Sequence, residues 1–221
     1  MKRLMIICEG QSEQSFVENV LSPYLYNQGN VFDVRGTLIP TSKGHKGGNV
    51  SYDKFINKIN EVLRNESTDT IVSTMVDFFK FPKVPNLTAS YNQLNGDLSK
   101  VLALEKHLEM AIRNDRFIPY IQLHEYEALL FSNKRGFEMY LQEQESRKLG
   151  ELSDLFPNPE DINSSPQKAP SKRILGIYPE YSKVVDGSII AIEVGIQAML
   201  TKCPHFNSWV TRLRERLTLS K

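Results

Sequence analysis

The chain opens with an apolar run, residues 4–8, that stops on Glu9-Gly10 and gives way to an amphipathic pattern from Ser12. A short apolar run closed by a turn signal reads as a buried strand, and the spacing that follows reads as a helix. A strand feeding straight into a helix belongs to βαβ architecture, in which the strands run parallel and helices cover the sheet. Ligands bind at the carboxyl edge of such sheets. An acid placed there points to chemistry, most simply a divalent-cation site for work on phosphates.

The same grammar continues along the chain. Phe16, Val17, Val20, Leu21 and Leu25 give an apolar stripe to a helix over 12–27. Residues 31–39 are a second strand and 52–63 a second helix, while 70–76 form a β-branched central strand ending on Asp77. Residues 79–95 carry prolines and asparagines without a period and are expected to be an excursion loop with at most a short helix. A helix follows at 98–112, then a fourth strand at 117–123 ending on His124-Glu125, then a helix at 127–140. Residues 142–170 are charged and then rich in Pro, Asn and Ser, and are expected to be a mobile connection. Two helices, 189–200 and 207–217, complete the pattern. The order predicts an α/β fold with a mainly parallel sheet flanked by helices. A domain over 1–140, a connection over 141–170 and a C-terminal helical cap over 171–221 packed on the domain are expected.

Composition narrows the function classes. The 221 residues carry a formal net charge of +1, so no global basic field of the kind that coats DNA is present, and nucleic-acid contact must come from a local patch. The 2 cysteines are too few for a disulfide framework or a cysteine-based zinc site. The N-terminal apolar stretch is too short for a signal peptide and carries Glu9. The longest apolar stretch near the C-terminus is interrupted by Glu193 and Gln197 and is too short to span a bilayer. A cytoplasmic protein without a membrane partner is the expectation.

Chemistry concentrates in acids at strand ends. Glu9, Asp77 and Glu125 each end a predicted strand, and parallel strands in one sheet bring those ends to one edge. Converging carboxylates raise each other's pKa unless a cation lies between them. Mg²⁺ (or Mn²⁺) suits such a site, because it takes one or two carboxylates, waters and phosphate oxygens. The plain alternative is that each acid is solvated or caps the next helix. That alternative is stronger for Glu13, which gains about 0.3–1 kcal/mol from the helix dipole, and similar for Glu127. His124 is a candidate general acid/base or ligand, or a histidine bonded within the fold. HEYEA is not a zinc-peptidase motif, because the second histidine falls at Ala128.

Lys43, His45 and Lys46, in a glycine-rich loop without P-loop spacing, are candidates for phosphate contact or a plain surface loop. Lys168, Lys172 and Arg173, with Lys183 nearby, are a candidate backbone-binding patch or a solvated basic face. Arg212, Arg214 and Arg216 are expected to form an exposed helix face. Cys8 and Trp209 are expected in the core, and Cys203 with His205 supplies too few ligands for structural zinc.

Three segments carry a resemblance: Glu9-Gly10-Gln11-Ser12-Glu13, Val76-Asp77-Phe78-Phe79 and His124 through Phe131 (HEYEALLF). Together with Pro170-Ser171-Lys172-Arg173-Ile174 and Cys203-Pro204-His205-Phe206, they make the chain resemble an uncharacterised bacterial Toprim-like family. That family is related to the Toprim domains of overcoming-lysogenization-defect-type nucleases. The resemblance implies a Toprim-like (Rossmann-like) fold, Glu9 as catalytic acid/base or ligand, and Asp77 as metal ligand. It further implies nuclease activity on DNA or RNA and an ATPase partner in bacterial defence. Glu125 would complete the metal shell, and Lys172 and Arg173 would position phosphates. One position departs from the pattern: Toprim enzymes place a second aspartate two residues after the first, and here Phe79 stands there. Either Glu125 or Glu127 takes that place, or the cation is held weakly. A non-catalytic subunit that regulates a partner is the alternative.

Overall fold

Lys2–Cys8 is strand β1, and its side chains alternate: Leu4, Ile6 and Cys8 enter one hydrophobic cluster while Ile7 enters another. A computed structural model describes residues 2–26, 32–40, 50–85, 87, 89–162 and 168–218. After Glu9-Gly10 comes helix α1 (Gln11–Phe16), which widens into a π-helical stretch at Val17–Leu21 and resumes as α2 (Ser22–Tyr26). Strand β2 (Phe32–Leu38), helix α3 (Tyr52–Asn65) and strand β3 (Thr70–Asp77) follow. A 3-10 turn at Phe78–Lys80 leads to α4 (Ala89–Asn92) and α5 (Asp97–Ile112). Strands β4 (Phe117–Ile118) and β5 (Ile121–Gln122) precede a 3-10 segment, Tyr126–Ser132. Helices α6 (Arg135–Tyr140), α7 (Glu143–Asp154), α8 (Pro170–Ile177), α9 (Asp186–Val194), α10 (Ile196–Lys202) and α11 (Pro204–Thr218) complete the order.

The sheet order is β2-β1-β3-β4, with β5 also on β3, and every pairing is parallel. The expected α/β fold with helices on both faces is therefore present. One face carries α3 and α5 through Phe55, Ile59, Leu104 and Leu108. The other carries α1 together with C-terminal helices, in a cluster that runs from Leu4 to Leu217 and includes Phe16, Phe137, Ile190 and Trp209. The C-terminal helices thus share a core with the sheet. Among the described residues no helix is long and apolar enough to cross a membrane.

The expected fourth strand over 117–123 exists as two short pieces, and Pro119 is the reason. Proline has no N–H for the ladder and sits only where a strand is broken or at an edge. The Thr74 hydroxyl bridges the gap: it donates to the Tyr120 carbonyl at 2.9 Å and accepts the Tyr120 N–H at 2.9 Å. Ser73 Oγ donates to the Ile118 carbonyl at 2.6 Å and accepts from Trp209 Nε1 at 2.9 Å, tying α11 to the sheet. The Ile121 N–H goes to the buried carboxylate of Glu105 on α5, at 2.9 Å.

Three other expectations change. The helix expected over 127–140 is a buried 3-10 segment followed by α6, because Leu129, Leu130 and Phe131 are all wholly buried and no outward face exists. The connection expected over 142–170 contains α7, which buries Leu149, and a turn at Pro159–Asp161 whose Glu160 is buried and caps α11 through the N–H groups of His205 and Phe206. The helix expected over 189–200 breaks at Gly195, whose φ of 74° is open to glycine and strained for other residues. Gly136 lets α6 and α9 approach: a Cβ there would lie 2.4 Å from Val194 Cγ2.

Thr74→Val leaves the Tyr120 N–H and carbonyl without a partner inside the sheet. It is expected to destabilise the fold by about 1–3 kcal/mol, lowering Tm by roughly 2–4 °C per kcal/mol. An unchanged melting curve would show that the strand break is satisfied by other means.

Candidate active site

β1 and β3 lie side by side with Cys8 opposite Met75, and the ladder closes with Glu9 N–H on the Met75 carbonyl at 3.3 Å. The strands therefore bring Glu9 and Asp77 to one edge, where Glu9 Oε2 accepts the Asp77 N–H at 3.3 Å. On the far side of β1 stands β2. Chain connections diverge at this point, which is the crevice where open α/β sheets bind ligands.

The segment after β5 adds further acids. His124 adopts a φ of 66°, in the left-handed region, where histidine is several-fold over-represented among non-glycine residues. Its carbonyl accepts the Phe79 N–H at 3.2 Å, so the turn is stitched to the chain just beyond Asp77. Asp77 Oδ1 in turn accepts the Tyr126 N–H at 2.9 Å. Glu125 and Glu127 flank that bond in sequence, and both are buried. From α1 comes Glu13, also buried, whose Oε2 accepts the Gly10 N–H at 2.9 Å.

The C-terminal helices close the edge. Glu125 Oε2 accepts the Ser171 N–H at the start of α8, at 3.0 Å. Lys183 Nζ lies 2.8 Å from Glu127 Oε1 and 3.7 Å from Glu125 Oε1. The Glu127 contact is a short ion pair, and the ammonium sits nearer to Glu127 than to Glu125. The turn carrying Lys183 is pinned, since Asp186 accepts from Tyr140 Oη at 2.6 Å and from Ser182 N–H at 2.7 Å. Tyr126 Oη donates to the Gly187 carbonyl at 3.1 Å, and the buried Tyr181 hydroxyl beside it has no hydrogen-bond partner among the described residues.

Charge at this edge is unbalanced. Among the described residues, five carboxylates (Glu9, Glu13, Asp77, Glu125 and Glu127) share one ammonium group, Lys183, within mutual electrostatic reach. Burial pushes Glu13 up to about 7, and the charges of Glu9 and Glu127 add to it. Burial, then Glu13, Glu9 and Glu127, push Asp77 well above the usual carboxylate range, with Lys183 opposing. Burial likewise raises Glu127 against the pull of Lys183. Burial works against the charge of Lys183, yet Glu127 and Glu125 outweigh it and hold the ammonium above its ordinary pKa. His124 is lowered by burial, against the attraction of Asp97 at 3.7 Å.

Glu9, Asp77 and Glu125 thus stand at one edge, with His124 in the turn between them. Lys172 is exposed, and Arg173 donates to the Lys168 carbonyl at 2.8 Å and lies 5.3 Å from the Phe156 ring centroid, so neither is tied to the acids. Lys43 and Lys46, with His45, lie outside the described residues. Cys203 is buried against Ser132 at 3.3 Å, and His205 Nε2 faces Glu105 and the Ile121 carbonyl, both at 3.2 Å. Arg212 pairs with Glu109 at 2.6 Å and Arg214 with Tyr24, so that helix face is anchored to neighbours. The sequence pattern places Lys183 beside a basic patch and Glu13 at a helix start, whereas both stand among the acids, and it gives no sign of the role of the Ser171 N–H. The PSKRI segment drew attention to its charges, whereas its backbone N–H does the holding.

The donors at the edge are all oxygens, the set a hard divalent cation takes. Among the described residues no group of three His, Cys, Asp or Glu stands ready-made around a metal position. Glu125 has both oxygens engaged, which leaves Glu9 and Asp77 as the pair facing unneutralised charge. Two carboxylates with waters are sufficient for Mg²⁺, so donor type and charge fit the ion.

Glu13 holds its proton more tightly folded than unfolded. Its contribution is therefore full below about pH 4.5 and is lost as pH climbs through about 7, on the order of 3 kcal/mol. Asp77 and Glu127 shift in the same direction. In chelator, Tm is expected to fall between about pH 5 and pH 8, and Glu13→Gln should flatten that slope. The same slope in wild type and variant would remove Glu13 from the cluster.

No curated protein and no solved structure matches the chain. A family model described as a domain of unknown function, DUF4276, matches residues 8–214, a span that contains every acid of the edge and the lysine among them. The chain is a member of the DUF4276 family.

Proposed function

We propose that this chain is a Mg²⁺-dependent (or Mn²⁺-dependent) phosphodiester-cleaving enzyme acting on DNA or RNA, with Glu9 and Asp77 as its central pair. One observation carries the reading: Glu9 and Asp77 meet at the ends of adjacent parallel strands, inside an acid cluster that, among the described residues, has Lys183 as its one ammonium. A polyanion does not approach such an edge unaided, so activity depends on the added cation. When bound, the ion polarises a phosphodiester and lowers the pKa of an attacking water.

The protein's own groups divide the remaining work. Asp77, fixed by the Tyr126 N–H, holds a ligand oxygen that does not drift. Glu9 lies at the rim, half-buried, and accepts the proton of the attacking water. Phe79, where a second aspartate would extend the donor set, instead ties its N–H to His124 and leaves two carboxylates as the holders. Glu125 serves to seat Lys183 and the start of α8. An ATPase partner, a cytoplasmic setting and a role in bacterial defence belong to this proposal through the resemblance to Toprim-like proteins.

A second reading, a non-catalytic Toprim-like subunit that binds and regulates a partner protein, is favoured by the internal hydrogen bonds that Asp77 and Glu125 make. The test incubates the full chain with plasmid DNA, single-stranded DNA and RNA in Mg²⁺ or Mn²⁺, beside Glu9→Gln and Asp77→Asn. Asparagine retains the oxygen that Tyr126 needs, so Asp77→Asn should fold. Each variant is expected to lose at least about 100-fold in cleavage rate. Cleavage that survives in both variants overturns the site. Absence of cleavage together with absence of Mn²⁺ binding selects the regulatory subunit.

A further inference from the structure

The acids divide spatially. Glu9, Glu13 and Asp77 come from β1, α1 and β3, and no lysine, arginine or histidine bonds to any of the three carboxylates among the contacts of the described residues. Glu125 and Glu127 come from the segment after β5 and face Lys183 at 3.7 and 2.8 Å. Lys183 is not loosely placed. Ser182 on one side is held by Asp186, which is held by Tyr140, and Tyr181 on the other is packed against Gly187. The Tyr181 hydroxyl is buried, lacks a partner among the described residues, and feels Glu127 as its strongest neighbouring charge, so a polar group faces the cluster.

We infer that Lys183 is a built-in cation that occupies the Glu125/Glu127 half of the edge, so that the site takes one divalent ion, at Glu9 and Asp77, and not two. The inference rests on the reading of this edge as a divalent-cation site and specifies its stoichiometry. Two carboxylates seated around an ammonium have half of their charge answered, and the oxygens that face the ammonium are occupied. A divalent ion there must displace Lys183 from its short contact to Glu127 and from its pinned turn. Among the described residues, the three acids on the other half have no such competitor. Removing the ammonium while keeping side-chain bulk, as in Lys183→Met, leaves Glu125 and Glu127 as an empty oxygen pair of the kind that draws a second ion.

Calorimetry and electron paramagnetic resonance of the full chain titrated with Mn²⁺ alone count the ions without reference to activity. Wild type is expected to bind one equivalent, Lys183→Met two, and Lys183→Arg one, since arginine keeps the charge. Near-ultraviolet circular dichroism checks that the variants are folded. The wild-type count stands by itself if Lys183→Met fails to fold. Two ions in wild type, or one in both wild type and folded Lys183→Met, overturns the role of Lys183 and leaves the cation site intact. Absence of binding to wild type, or binding that Asp77→Asn leaves unaltered, overturns the cation site and this inference with it.

Discussion

The β1–β3 ladder is the contact on which the rest of the structure depends. It fixes Cys8 opposite Met75, and from that register the meeting of Glu9 and Asp77 follows without further choice. A slip of one residue would turn every side chain of β1 to the opposite face, exchanging Leu4, Ile6 and Cys8 for Met5 and Ile7. The apolar clusters on both faces hold the register, and the register places the acids.

Assembling buried acids opposes folding, and the structure meets that cost locally. Backbone N–H groups do most of the work: Gly10 for Glu13, Tyr126 for Asp77, Ser171 for Glu125. These bonds orient each carboxylate whether or not it is ionised, which is how Glu13 and Asp77 persist with raised proton affinity. Lys183 supplies the only charge of opposite sign on this edge among the described residues' ion pairs. A site built this way fixes its carboxylates through the backbone and shifts their proton affinity through burial.

The sheet was legible because parallel strands announce themselves: residues 4–8 are apolar, 70–76 are β-branched and apolar but for Ser73, and each runs into an acid. The acids at strand ends were legible for the same reason. What escaped reading is non-local. Nothing in the neighbourhood of Lys183 distinguishes it from Lys172, since its role comes from a turn pinned by Tyr140, more than forty residues upstream. The 3-10 form of Tyr126–Ser132 escaped because an apolar run of that length has no period to separate helix from other buried backbone. Pro119 was visible, and its effect on the fourth strand follows from its missing N–H, but the repair by the Thr74 hydroxyl is a tertiary fact.

The shared core of the sheet and the C-terminal helices sets an order of assembly. Glu9, Asp77 and Glu125 leave the ribosome long before Ser171 and Lys183. Until α8 and α9 dock, Glu125 lacks its backbone donor and Glu127 its ammonium, and the cluster around Leu4 lacks Ile190 and Trp209. A nascent chain halted near residue 140 therefore presents an acidic, half-covered sheet. The edge acquires its final chemistry only when the helices from α8 onward close over the sheet.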